Sequence, residues 1–149
     1  MRISEDILVS AKSLLAGEKN RVANMANLSA LIMDASKWHW VGFYTVDKEQ
    51  DELVLNAFQG PVACTRLRRG KGVCAHSWET NTTVVVDNVH DFPGHVACSS
   101  LSNSEVVIPV RNGGEVVAVL DLDSVEYSDF SSEEVRLLEG LVKILEERW

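Results

Sequence analysis

Apolar and polar positions alternate along this chain with two different periods. From Ile3 to about Ser36 the apolar residues return every three or four positions: Ile7, Leu8, Ala11, Leu14 and Leu15, then Val22, Met25, Leu28, Leu31 and Ile32. Gly17 interrupts them, so the segment predicts two helices. HWVGFYTVD (39–47) is aromatic and β-branched, and DKEQD separates it from LVLNAF, which predicts a hairpin. A second hairpin is written in SEVVIPVRNGGEVVAVLDLDS (104–124), where Asn112-Gly113-Gly114 parts two apolar runs. TTVVVD (82–87) reads as one more strand. From Ser131, SSEEVRLLEGLVKILEERW predicts a closing helix. Ser131 and Glu134 stand at capping-box spacing, and Val135, Leu138, Leu141, Val142 and Leu145 share one face.

Two stretches have no sustained period. Residues 59–71 mix Gly, Pro and basic residues and read as a long, partly structured loop; residues 87–103 are polar, broken by Phe-Pro-Gly, and read as a second long loop. Loops of this length in a compact domain are usually functional or disordered, and here each carries a cysteine. Between them VCAHSWETN (73–81) suits a short helix. With no internal repeat, low-complexity tract or linker, residues 1–149 read as a single domain. Helices, then strands with two large loops, then a helix is an α+β order, with an antiparallel sheet covered by helices on one face.

A chain of 149 residues, 46% of them hydrophobic, can build a core without disulfide staples, since folding at this size buries about 68–70% of the unfolded surface. Fourteen Lys and Arg against 22 Asp and Glu leave a net charge of −8, which disfavours a nucleic-acid or anionic-membrane surface. Arg66, Arg68, Arg69 and Lys71 are the local exception. No apolar stretch approaches the roughly 20 residues of a membrane span, and MRISEDILVS lacks the basic flank and apolar run of a secretory signal. Three cysteines are too few, and odd in number, for a secreted disulfide framework. A reducing, cytoplasmic setting is the expectation.

The cysteines are Cys64, Cys74 and Cys98, ten and twenty-four positions apart, with no C-x-x-C pair. Buried cysteine is commonly a small core hydrophobe. Here all three lie in or beside Gly- and Pro-containing loops, which weakens that explanation. A zinc site from Cys74, His76, His95 and Cys98 has competent ligand types but lacks two close pairs on an orienting turn, and it leaves Cys64 over. A thiol cycle of attack, sulfenic acid and resolution by a second cysteine suits loop-borne sulfurs.

In AVLDLDS, Val119, Asp121 and Asp123 share one strand face and Leu120 and Leu122 the other, so the two carboxylates lie roughly 6.6 Å apart along the strand. A three-residue turn at Asn112–Gly114 would pair Arg111 with Glu115 and set Glu105 opposite Asp121, crowding three acids into one patch. A two-residue turn would set Glu105 opposite Leu120 and dissolve it. Solvated strand ends are the bland alternative, but these strands are otherwise apolar. Acids crowded at a buried edge are pushed toward the protonated form; one can then donate a proton while another, ionised, pairs with an amino group. Trp40, Gly42 and Tyr44 share a face of the first hairpin, where two aromatic walls flank a position without a side chain. They either fill core or form a slot for a methyl beside a polarised sulfur.

Six segments, HWVGFY (39–44), GPVAC (60–64), GKGVCAHSW (70–78), VVDNVHDFPGHVAC (85–98), SNSEVVIPV (102–110) and VLDLDS (119–124), together resemble the free methionine-R-sulfoxide reductases, which are GAF-domain enzymes. The resemblance spans roughly residues 38–125, and the flanking helices agree with a GAF layout: terminal helices on one sheet face, long active-site loops on the other. It implies that Cys98 is the catalytic thiol, Cys74 the principal resolving thiol and Cys64 a further participant in disulfide formation. It also implies that Glu105, Asp121 and Asp123 bind and activate substrate, and that Trp40 and Tyr44 line the pocket. His95, three residues from Cys98, is a candidate helper for its thiolate.

The expected reaction needs no bound cofactor or metal, only an external dithiol. The family points to thioredoxin, kept reduced by NADPH through thioredoxin reductase. A homodimer is compatible with the resemblance. Two positions depart from the pattern: Ala75 replaces a common glycine and Ser99 a common aspartate, which removes a negative charge beside Cys98. A ligand-binding GAF sensor and a zinc-binding structural module are the rival readings. The former lacks an output domain in this chain, and turnover separates both from a reductase.

Overall fold

The computed structural model describes residues 1–96 and 98–149. Its elements run α1 (Asp6–Leu15), α2 (Arg21–Ser36), β1 (Trp40–Asp47), β2 (Glu52–Gln59), β3 (Arg66–Arg68), α3 (Gly72–Thr80), β4 (Val84–Val86), a 3₁₀ turn (Val89–Asp91), β5 (Ser104–Asn112), β6 (Glu115–Ser124) and α4 (Ser132–Glu146). The six strands form one antiparallel sheet in the order β3-β2-β1-β6-β5-β4. Both expected hairpins are present. The short strand β3, inside the first expected loop, is an addition: Leu67 is buried while Arg66 and Arg68 face solvent, and the brief alternation is too short to read as a strand from sequence.

The helices sort onto the two sheet faces by their apolar positions. On one face, Ile7, Ala11 and Leu15 of α1, Met25, Leu28 and Ile32 of α2, and Leu138, Leu141 and Leu145 of α4 pack on Phe43, Leu120 and Leu122. Asn20 caps α2 through Ala23 N–H. Ser131 and Glu134 close the expected capping box on α4, an arrangement that satisfies two N-terminal amides. On the other face α3 sets Val73, Cys74 and Trp78 against Tyr44, Val107 and Val119. The terminal helices therefore cover one face, and α3 with the long loops covers the other.

The β5–β6 turn differs from the three-residue turn expected. Asn112 pairs with Glu115 across a two-residue turn at Gly113 and Gly114, both at positive φ, as a type I′ hairpin requires. The acid cluster nevertheless survives. β6 carries one extra residue, Val117, between the pairs Val110↔Ala118 and Arg111↔Val116, and this bulge shifts the register by one. Glu105 consequently stands opposite Asp123 instead of Asp121, with all three acids on the α3 face.

Candidate functional site

The strand pairings explain why the acids converge. Asp123 lies between Glu105 of β5 and Trp40 of β1, and Asp121 between Val107 and Gly42. These rows form the floor of a pocket under α3, whose walls are Trp40, Tyr44, Val73 and Cys74 and whose rim includes Cys98 and Ser99. Glu105 and Asp121 each expose only 6% of their surface. The expected slot at Gly42 is filled by its neighbour. A Cβ on Gly42 would meet the indole of Trp40 at 2.6 Å and Phe58 Cβ at 2.3 Å, so the glycine makes room for the Trp40 ring, which stacks 5.2 Å from Phe58. Trp40 and Tyr44 line the pocket as walls without a gap between them.

Burial sets the protonation pattern of the floor. Desolvation raises Glu105 well above the usual carboxyl range, and the charges of Asp121 and Asp123 raise it further. Asp123 is likewise raised, first by burial and then by Asp121. Asp121 is raised by burial but drawn part of the way back by the neighbouring Glu105 and Cys74. Of the three, Glu105 and Asp123 are pushed furthest toward the protonated form and Asp121 least. The Cys74 thiol is pushed up by burial and then by the same three acids. Desolvation, with Asp121 next, raises the Tyr44 phenol also.

Cys64 and Cys98 form a disulfide, and Cys74 is free and buried. The partner of Cys98 is therefore Cys64, the second of the two expected candidates. The elements show why. Cys64 and Cys98 both lie in loops at the pocket rim and are half-buried, whereas Cys74 lies on the inward face of α3 beneath them. The aromatic walls fix the Cys64 loop: Trp40 Nε1 donates to Pro61 O at 3.0 Å and Tyr44 OH to Cys64 O at 2.8 Å. Gly60, at φ +127°, lets this loop pass close to β1, since a Cβ there would stand 2.8 Å from His39 O.

His95 lies 3.8 Å from Glu105 Oε1, and desolvation, then His90, lowers its pKa toward the neutral imidazole. It is thus positioned over the acid cluster, while the sequence had linked it to Cys98. Ser99 Oγ lies 3.2 Å from His39 Nε2. This tie between the Cys98 loop and β1 spans sixty residues and left no signal in the sequence. Ala75 is fully buried on α3. The zinc quartet considered from sequence does not assemble: Cys98 is in the disulfide and His76 is exposed, its ring edge on Phe92. Among the described residues the ligand-type side chains that converge are Cys74, Glu105 and Asp121.

Comparison with known proteins agrees with this geometry. The GAF domain family matches residues 26–146. GAF domain-containing protein A of Dictyostelium discoideum is 46% identical over 95% of this chain and 89% of its own length. The free methionine-R-sulfoxide reductase of Saccharomyces cerevisiae is 39% identical over 96% of this chain and 83% of its own. The crystal structure of free methionine-R-sulfoxide reductase from Neisseria meningitidis in complex with its substrate superposes with a TM-score of 0.93 at 45% identity, covering 98% of this chain and 91% of that one. Fold, acid-floored pocket and sequence agree: this chain belongs to the GAF-domain family and, within it, to the free methionine-R-sulfoxide reductases.

Proposed function

We propose that the protein reduces the R epimer of free methionine sulfoxide to methionine, with Cys98 as nucleophile. One observation carries this function: a sulfur able to form a disulfide stands at the rim of a pocket floored by three crowded acids, whose burial favours the protonated form of Glu105. The Cys98 thiolate attacks the sulfoxide sulfur while Glu105 gives its proton to the sulfoxide oxygen, a form of acid catalysis worth roughly 10²–10⁴ in rate. The oxygen passes to Cys98, methionine is released and Cys98 becomes a sulfenic acid. Cys64 then displaces that oxygen as water and forms the disulfide, which two electrons from an external dithiol reopen. Thioredoxin is the reductant proposed. The half-buried Cys64–Cys98 bond at the rim is open to such a partner.

Asp121 pairs with the substrate ammonium and Asp123 supports it from the adjoining row. The Trp40 and Tyr44 rings pack against the methylthio end. A peptide-bound sulfoxide offers no ammonium, so it would leave a buried carboxylate unpaired and be rejected strongly. The test is NADPH consumption through thioredoxin and thioredoxin reductase, with free R, free S and peptide-bound sulfoxide supplied in turn. Turnover of the free R epimer alone is expected. Equal rates with all three, or none with any, would overturn the assignment.

A further inference from the structure

The disulfide leaves one buried nucleophile without a task. Cys74 Sγ and one carboxylate oxygen each of Glu105 and Asp121 lie within 4.8 Å of one another. Asp121 Oδ1 is buried and, among the described residues, has no hydrogen-bond partner, although its residue lines the pocket and exposes only 6% of its surface. A buried acceptor without a donor is costly unless something cationic reaches it. His95 Nε2 stands beside this cluster, 3.8 Å from Glu105 Oε1.

We propose that Cys74, Glu105 and Asp121, with His95 as fourth ligand, form a binding site for a thiophilic divalent cation of the zinc class, and that occupation inhibits the enzyme. The donor set selects the ion. Magnesium and calcium take oxygen ligands in six- to eightfold coordination, whereas one sulfur, one imidazole and two carboxylates suit a four-coordinate zinc ion. Bonds of about 2.0–2.3 Å place tetrahedral ligands roughly 3.4–3.7 Å apart, so Cys74, Glu105 and Asp121 need to contract by about 1 Å and His95 to turn toward them. Binding is an exchange in which no electrons move: the protons of the Cys74 thiol and of Glu105 pass to solvent as the metal bonds form. The bound ion removes the proton donor and covers the oxygen that would meet an ammonium. Cation binding itself does not depend on the proposed reaction; only the inhibition does.

The oxidised full-length protein isolates the site, because with Cys64 and Cys98 bonded its sole thiol is Cys74. Titration with Co²⁺ should produce a near-ultraviolet thiolate-to-cobalt charge-transfer band that saturates at one ion per chain and is erased by Zn²⁺ but not Mg²⁺. Cys74→Ser should abolish the band. Asp121→Asn, which keeps the thiol and the shape of the floor, should weaken binding about tenfold or more, the cost of one ligand at about 1.4 kcal/mol. Free methionine should raise the apparent Kd for Co²⁺. No band in the wild-type protein, or a band that survives Cys74→Ser, would overturn the metal site whatever the turnover assay shows. A band indifferent to methionine would overturn the inhibition.

Discussion

The two faces of β6 carry opposite chemistry on alternating residues. Leu120 and Leu122 are fully buried under the helices α1, α2 and α4, while Asp121 and Asp123 point the other way, beneath α3 and the loops. The leucine face follows ordinary packing, and each side chain there stabilises the fold by leaving water. The acid face breaks that rule: Asp121 is buried and Asp123 half-buried, and both are crowded and raised in pKa, which costs stability wherever they ionise. One face supplies the free energy that the other consumes, so substitutions on the two should separate stability from activity.

The largest expected effect is at the pocket rim. Cys98→Ser should leave no measurable sulfoxide reduction, whereas Cys64→Ser should give about one methionine per enzyme in a quenched single-turnover assay and then stall. Wild-type steady-state rates from Cys98→Ser would remove residue 98 as the nucleophile. Next, Glu105→Gln should lower kcat about 10²–10⁴-fold while thermal unfolding shows the protein at least as stable, since a buried titrating acid has been replaced by a neutral isostere.

The opposite face should answer in reverse. Leu138→Ala, in the fully buried row on α4, should cost about 2–5 kcal/mol of stability in denaturant titrations and leave kcat near wild type at temperatures where the variant is folded. A drop in kcat with unchanged stability would erase the distinction between the faces.

The smallest effect is on the pH dependence of stability. Glu105 and Asp123 have folded pKa values above their ordinary ones. Their contribution is therefore fully present below the usual carboxyl pKa near 4, and it is lost as pH rises toward the raised folded values. Stability should fall as pH rises above about 4, more steeply in the wild type than in Glu105→Gln. Parallel curves would show that Glu105 does not hold the proton.

Local patterns made most of the fold legible. The Ser131–Glu134 capping box, the Asn112-Gly113-Gly114 turn and the apolar stripes of α1, α2 and α4 are written in neighbouring residues, and the elements follow them. The acid cluster was readable as alternation on one strand, but its cross-strand pairing was not, because the bulge at Val117 rearranges the register within an unbroken apolar run. The choice between Cys64 and Cys74 was equally hidden. It depends on which sulfur the fold leaves at the rim and which it turns inward on α3. The contact of His39 with Ser99 and the position of His95 over Glu105 arise from chain segments that meet only in three dimensions.

The extra residue Val117 has a reach out of proportion to its size. Paired as the two-residue turn alone would dictate, β5 would bring Glu105 alongside Leu122 and rotate its carboxyl out of the pocket. The placing of the Glu105 carboxyl is thus fixed near the far end of a hairpin, five residues or roughly 17 Å of strand from the acid itself. Trimming that remote kink by one residue would turn one acid away from the pocket without altering any residue that lines it.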